Sequence, residues 1–565
     1  MKAIAGAARR VITPSMQQPR PLLGWGDPKH IATRVALDIH ARAVFFEDHE
    51  ENRMVFVSVE VCFISESLRR GVMACLHQDP ELAGLNEKDV VLTATHTHNA
   101  PGGYCHSILY NVPSKGYYPD VFEAYVMGIY QTIREAWRSR KPVVIAHGSG
   151  MIPLDEPVAF NRAMNAWNQN RDVEELSVSE SHRAVDRNME VLSILDSLGS
   201  PIALVSWFAV HCTSMHRDYF AIHSDNKGMA SLRVEEHFRK QGSEMVAIFA
   251  QGASGDVSPN FRKYLFKREM RGADRDDERS CALNAAIQAE HALAICAQAR
   301  PLRGAGISSI LSYHDCTRVP VPPEWVEGRE NVTTGPAALG CPFLGGTAEG
   351  GGMSPVALAL FTLVLRSVYW VRGRKIRNRV HGSKIICLEL TDGKVFGDSN
   401  PQDLPIPSLF DPVIRVMRFW SRIRVFKGET MTPHVLPFQL FRIGHLAFIA
   451  APGEFTTTAG RRVRKMLEPM LKPLEVEHCI FSGYANSYAG YVTTEEEYEV
   501  QGYEGACTHF GQYTLLGYMG IFRQLAHQWT GKQVPEPRVP ELPPPAMKSA
   551  SYLRKINAGF FSRRG

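Results

Sequence analysis

Short apolar, β-branched runs recur along the chain at Met54–Val61, Val90–Ala94, Ile202–Val210, Met245–Ala250, Leu446–Ala450 and His478–Ser482. Their length and lack of helical periodicity predict buried strands. Helical patterns lie between them at Val121–Trp137, Met229–Arg239 and Ser280–Ala299, the last with Leu283, Ala286, Ile287 and Ala294 at helical spacing. Strands alternating with helices predict an α/β domain with a mixed sheet, whose functional residues sit in loops beyond strand ends.

Two stretches break this rhythm. From Gly328 to Asp411 many glycines surround a strongly apolar segment, which reads as a large insertion or lid reaching to about residue 433. After Gln533 a proline-rich linker, Val534-Pro535-Glu536-Pro537 through Pro543-Pro544-Pro545, leads into a short basic tail. The expected organisation is one large domain over 1–530, the insertion or lid at 328–433, and a linker and tail at 531–565. That leaves no room for a C-terminal immunoglobulin-like domain.

Composition narrows the function classes. At 565 residues, 44% hydrophobic and 21% charged, the chain can fill a large core, which excludes a disordered or fibrous protein. A net charge of +5 from 63 basic and 58 acidic residues is too balanced to indicate a nucleic-acid partner. Eleven cysteines without a CxxC pair indicate neither a disulfide framework nor a cysteine zinc site, and read as buried thiols in a reducing compartment. The first ten residues lack a signal-peptide core, and no uncharged apolar run approaches the length of a spanning helix. The expectation is a cytoplasmic or peripherally membrane-bound protein.

Candidate chemistry gathers where the apolar runs stop. Val90–Ala94 leads into Thr95-His96-Thr97-His98. In an extended chain these two imidazoles project to one side, which suits a metal, or one ligand beside one acid or base. Hydrogen-bonded strand-end histidines fit the same pattern. Ile202–Val210 ends at His211, Leu446–Ala450 at a tight turn carrying Glu454, and His478–Ser482 at the phenol-rich loop Tyr484 to Tyr491. Nitrogen and oxygen donors of this mix suit zinc with an open position. Met245–Ala250 runs into Gly255-Asp256-Val257-Ser258-Pro259-Asn260, which is neither a GxSxG elbow nor a phosphate loop. Ser258 there reads as a turn residue or as part of a backbone-lined active-site loop.

Together these motifs resemble the neutral/alkaline non-lysosomal ceramidases. The resemblance runs through Thr95-His96-Thr97-His98 with Pro101-Gly102-Gly103, Phe160-Asn161-Arg162, Trp207-Phe208-Ala209-Val210-His211 and Ser224-Asp225-Asn226-Lys227-Gly228. It continues in Gly255 to Asn260, Pro452-Gly453-Glu454-Phe455, Tyr491-Val492-Thr493-Thr494 and Tyr503-Glu504-Gly505-Ala506, over roughly 3–260 and 435–520. It implies a zinc-dependent amidohydrolase cutting the N-acyl bond of ceramide into sphingosine and a fatty acid. It places His96, His211, Glu454 and Tyr491 as Zn2+ ligands, Ser258 as the catalytic serine, and His98, Arg162 and Tyr503 on the same site. Whether Ser258 attacks or positions water stays open. The chain departs from the family pattern at Ala163 to Trp167, at Gln512-Tyr513, and from Gly328 to about Pro433.

That last departure leaves another N-acyl lipid or small amide open as substrate. Two further alternatives are a catalytically silent lipid-binding relative, against which the intact His96, His211, Glu454, Tyr491 and Ser258 argue, and a serine esterase, against which the missing elbow argues. A water-insoluble lipid substrate also predicts work at a membrane surface. Pro355–Val371 is apolar, with Phe361, Leu363 and Leu365 as candidate insertion residues, and Arg372, Arg374, Lys375, Arg377 and Arg379 follow directly. Basic-aromatic stretches at Arg415–Arg424 and Tyr552–Arg564 could assist. A buried hairpin helix with solvated arginines fits the same pattern.

Overall fold

The computed structural model describes residues 2–263, 269–304, 306–371, 380–391 and 431–532. The proline-rich linker, the tail and the basic stretches at 372–379 and 415–424 lie outside the described residues.

Two β-sheets pack face to face. In the larger, the strands run in the order Val246–Gln251, Pro201–Phe208, Asn188–Asp196, Lys141–Met151, Lys2–Val11, His40–Glu47, Arg53–Val59 and Val90–Ala94, with Arg300–Pro301 added beside Lys141–Met151. The pairs at its two ends are parallel and those between are antiparallel, so the sheet is mixed. The smaller sheet orders Ile307–Asp315, Val435–Ile443, Leu446–Ala450 and His478–Ser482, the last two parallel.

Strand periodicity explains the layering. Val44, Phe46, Phe56, Val205 and Trp207 face Phe441, Phe448 and Ile480 across the inter-sheet core. Their alternating neighbours Phe45, Val55 and Val57 face the helices Glu66–Gln78 and Pro119–Arg138, while Leu204, Ala247 and Phe249 face Asp225–Arg239 and Asp277–Ala297. Behind the small sheet, Phe438, Leu440 and Ile449 pack on Thr457–Met470 and Thr514–Trp529. The order of layers is helix, sheet, sheet, helix.

The expected runs at Val90–Ala94, Leu446–Ala450 and His478–Ser482 are strands with those bounds, and the other three shift by a residue or two. Lys2–Val11, Lys141–Met151 and Ile307–Asp315 escape an apolar-run search because small or polar residues alternate through them. Pro355–Val371 is a helix. Leu365 is buried in the core and Phe361 packs against it, so these two face inward, contrary to the expected insertion set. The outward face is Val356, Leu360, Leu363 and Val364, at 71%, 61%, 61% and 59% exposure. Among the described residues no helix is long and apolar enough to cross a membrane.

Candidate metal and catalytic site

The ends of Val90–Ala94, Pro201–Phe208, Val246–Gln251, Leu446–Ala450 and His478–Ser482 deliver their loops to one place. Gln251 ties the first three together: its amide nitrogen donates to the carbonyls of Thr95 at 2.8 Å and Val210 at 2.6 Å. Asn486 joins the two sheets, donating from its backbone to Leu92 at 2.7 Å while its side chain accepts from Leu92 N at 3.0 Å. Glu454 N donates to Gly490 O at 2.9 Å, and Gly255 N to Phe455 O at 2.8 Å.

His96 and His98 do converge, with Nε2 atoms 3.1 Å apart, although the chain there is not extended. His96 sits at φ 70, in the left-handed region that an L residue occupies only under constraint, and this turn aims both rings inward. His96 Nε2 lies 3.4 Å from Glu454 Oε1, and His211 Nε2 lies 3.2 Å from Glu454 Oε2. All three residues are buried.

The protonation of this cluster follows from its hydrogen bonds. Burial, acting against the Glu454 charge, lowers His96 to about 4, so the ring is neutral at pH 7. Its Nδ1 stands 2.6 Å from the Cys62 carbonyl and must carry the proton, which leaves Nε2 bare. His211 Nδ1 likewise faces the carbonyls of Ser254 at 2.6 Å and Val257 at 3.0 Å, and its Nε2 is buried without a hydrogen-bond partner. Burial pushes the Glu454 carboxyl up, but the histidines and the Tyr488 hydroxyl outweigh it and hold the group well below the usual carboxylate range. Two imidazole Nε2 atoms therefore converge on an anionic carboxylate. Such a buried set of nitrogen and oxygen donors suits a cation between its members. Cys62 Sγ is 3.8 Å from His96, but on the Nδ1 side already taken by the carbonyl, and burial keeps that thiol protonated.

Around this centre, Tyr484 and Tyr488 donate to the two oxygens of Glu454. These are the phenols that the sequence left unassigned in the aromatic loop. Tyr491, the expected fourth ligand, pairs beside Glu454 in adjacent short strands, and its hydroxyl accepts from Arg162 Nη2 at 3.1 Å. The Arg162 side chain is 5% exposed and also donates to Glu504 Oε1 at 2.9 Å, to Gly255 O at 2.9 Å and to Glu349 Oε2 at 2.6 Å. Tyr503 is half-buried, its ring 5.6 Å from that of Tyr491. His98 Nδ1 has no partner, burial depresses the ring's pKa well below its usual value, and Trp25 meets it edge-on at 5.0 Å.

Ser258 is fully buried, on a two-residue strand paired with Phe160–Asn161, the stretch preceding Arg162. Its hydroxyl donates to Glu349 Oε1 at 2.6 Å and accepts from Asn260 N at 2.9 Å. Asp256 braces this loop, accepting from Asn161 Nδ2 at 2.7 Å and from Thr457 N at 2.8 Å. The structure thus brings together every residue expected from the sequence and adds Glu349, which sequence reasoning missed. Its one local signal is that it is the single acid within the glycines from Gly345 to Gly352.

A family model described as neutral/alkaline non-lysosomal ceramidase, N-terminal, matches residues 5–362 and 423–520. The chain belongs to that family. Neutral ceramidase B of Dictyostelium discoideum is 31% identical over 537 residues, spanning 89% of this chain and 69% of that protein. The neutral ceramidase of Pseudomonas aeruginosa is 30% identical over 519 residues, with 89% and 69% covered. Among solved structures, the neutral ceramidase from Pseudomonas aeruginosa aligns with a TM-score of 0.76 at 28% identity, covering 96% of this chain and 77% of that one. A ceramidase complexed with C2 aligns with a TM-score of 0.77 at 28% identity, covering 96% and 78%. The match runs through Glu349 into the helix after it, so family correspondence reaches beyond Gly328, where the motifs alone had lost it.

Proposed function

We propose that the protein is a zinc-dependent amidohydrolase that cleaves the N-acyl bond of ceramide, releasing sphingosine and a free fatty acid. The observation that carries this reading is the buried, inward-facing set of His96 Nε2, His211 Nε2 and Glu454, in a chain matched to the ceramidase family. His96, His211 and Glu454 would hold the ion, with Tyr491 as the fourth donor. Zinc would supply Lewis-acid polarisation of the scissile carbonyl.

The remaining steps fall to side chains. His98 is neutral and has Nε2 turned to the centre, which suits taking a proton from the attacking hydroxyl or water and then passing that proton to the leaving amine as the C–N bond breaks. Arg162, engaged by two carboxylates, a carbonyl and the Tyr491 hydroxyl, holds that phenol in place. Tyr503 is the donor suited to the developing oxyanion. Ser258 serves the acyl carbon.

Turnover of a fluorescent short-chain ceramide, beside a panel of other N-acyl lipids and small amides, tests the substrate. Preference for ceramide, lost in Ser258→Ala with metal content kept, supports the reading. Preference for another amide would move the substrate while leaving the chemistry.

The outward face of Pro355–Val371 supports a membrane-surface role against anionic lipid. Its four exposed apolar residues are followed in sequence by Arg372, Arg374, Lys375, Arg377 and Arg379. Each engaged basic residue adds about 1 kcal/mol near an anionic surface. Co-sedimentation with phosphatidylserine vesicles should fall at high salt and in a Leu360→Ser, Leu363→Ser, Val364→Ser variant. Equal, salt-insensitive binding by both proteins would contradict this role.

A further inference from the structure

We infer that Glu349 is a positioning residue for Ser258, brought into the site by the glycine-rich loop that precedes the exposed helix. The inference rests on the catalytic role proposed for Ser258.

Glu349 is 1% exposed, a placement that costs a carboxylate several kcal/mol unless donors surround it. Four do. Oε1 accepts from Ser258 Oγ at 2.6 Å, Thr213 Oγ1 at 2.6 Å and Asn260 Nδ2 at 3.0 Å. Oε2 accepts from Arg162 Nη1 at 2.6 Å. These donors come from three separate loops. Burial pushes the carboxyl up, but Arg162 and then His211, Ser258 and Thr213 hold it well below the usual range.

An ionised carboxylate only accepts, so the Ser258 proton must point at Glu349. Asn260 N–H takes one of the two Oγ lone pairs, at 2.9 Å. One lone pair remains, in a direction set by the other two contacts. A hydroxyl with one free lone pair is oriented without further cost in rotor freedom.

The loop is shaped for this delivery. Gly346, Gly350, Gly351 and Gly352 all have positive φ, and a Cβ on Gly352 would lie 2.2 Å from the Gly345 carbonyl carbon. Met270 N holds the loop by donating to Ala348 O at 3.0 Å. The helix Pro355–Val371 begins directly afterwards, so the segment that presents the apolar face to solvent also carries the carboxylate that completes the site.

A double-mutant cycle on short-chain ceramide tests the assignment, with metal content and melting temperature measured for each variant. Glu349→Gln should lower kcat by about 100-fold with KM changed less than about 3-fold, the pattern of a misoriented reacting group. In a Ser258→Ala background the same change should alter the residual rate by less than about 3-fold, because its target is gone. Glu349→Asp keeps the charge that Arg162 needs but draws the oxygens back by one methylene. It serves where the glutamine variant fails to fold, and should lower kcat by about 10-fold. Wild-type kcat in folded Glu349→Gln or Glu349→Asp, or an equal loss in both backgrounds, overturns the inference. If Ser258→Ala is inactive while the Glu349 variants are normal, only this inference falls. If Ser258→Ala itself turns over normally, the proposed role of Ser258 falls with it.

Discussion

Arg162→Met removes the cation that faces the buried carboxylates of Glu349 and Glu504 at 2.6 and 2.9 Å. Breaking one partner out of a buried ion pair typically costs about 3–5 kcal/mol, since a charge is left without compensation. In a chain of 565 residues, with an unfolding entropy of about 2.1 cal/mol/K per residue, a loss of about 4 kcal/mol lowers Tm by roughly 3 °C. The loss should also depend on pH. In the wild type the depressed Glu349 pKa contributes stability above the unfolded value near 4.3, lost as pH falls through the folded value. Without Arg162 the largest influence holding that carboxyl down is gone and burial, which favours protonation, weighs more against its remaining donors, so the variant recovers at low pH and suffers most at high pH. Thermal melts of both proteins at pH 5 and pH 8 should show the larger gap at pH 8. Adding Glu349→Gln and Glu504→Gln to the variant should restore at least half of it, by removing the stranded charges. A variant melting with the wild type at pH 8, or a gap unchanged at pH 5, would refute this reasoning.

Two further predictions concern other parts of the fold. Gly24 has φ +136, and a Cβ there would stand 2.3 Å from the His98 ring, so Gly24→Ala should cut turnover by at least about 10-fold with metal content unchanged; normal turnover would show that His98 can shift freely. Glu190 bridges the sheets, accepting from His147 and His478 at 2.7 Å each, and although burial raises it these contacts hold it at about 2. Its share of stability is present above pH 4.5 and lost towards pH 2, while the share of His478, whose pKa Glu190 raises, is present below pH 6.5 and lost above it. Glu190→Gln should therefore cost most near pH 5–6, about 2 kcal/mol by urea unfolding after allowance for the partly exposed His478, and a pH-independent deficit would contradict the bridge.

Legibility in the sequence followed burial. Val90–Ala94 and Leu446–Ala450, buried at every position, were readable as strands, whereas Ile307–Asp315 has one fully buried residue in nine and left no apolar run to find. His96 and His98 were rightly paired on a premise that fails, because the left-handed turn at His96 and not an extended backbone brings their rings together. The phenol loop was visible, but the sequence could not tell that Tyr484 and Tyr488, and not Tyr491, donate to Glu454. Glu349 was out of reach for a different reason. It lies 91 residues from Ser258 and 187 from Arg162, and only tertiary packing reveals that its partners are donors looking for one acceptor.

The central claim is that a metal held by His96, His211 and Glu454 enables amide cleavage of ceramide. Its most direct test strips the purified protein with a chelator, adds back zinc in measured equivalents, and follows ceramide, sphingosine and fatty acid together by mass spectrometry. The stripped protein should show no turnover, and activity should recover fully at one zinc per chain with the two products in equal amounts. A His96→Ala, His211→Ala variant should show neither zinc binding nor recovery. Undiminished hydrolysis after complete removal of metal, or stoichiometric zinc retained by the double variant, would contradict it.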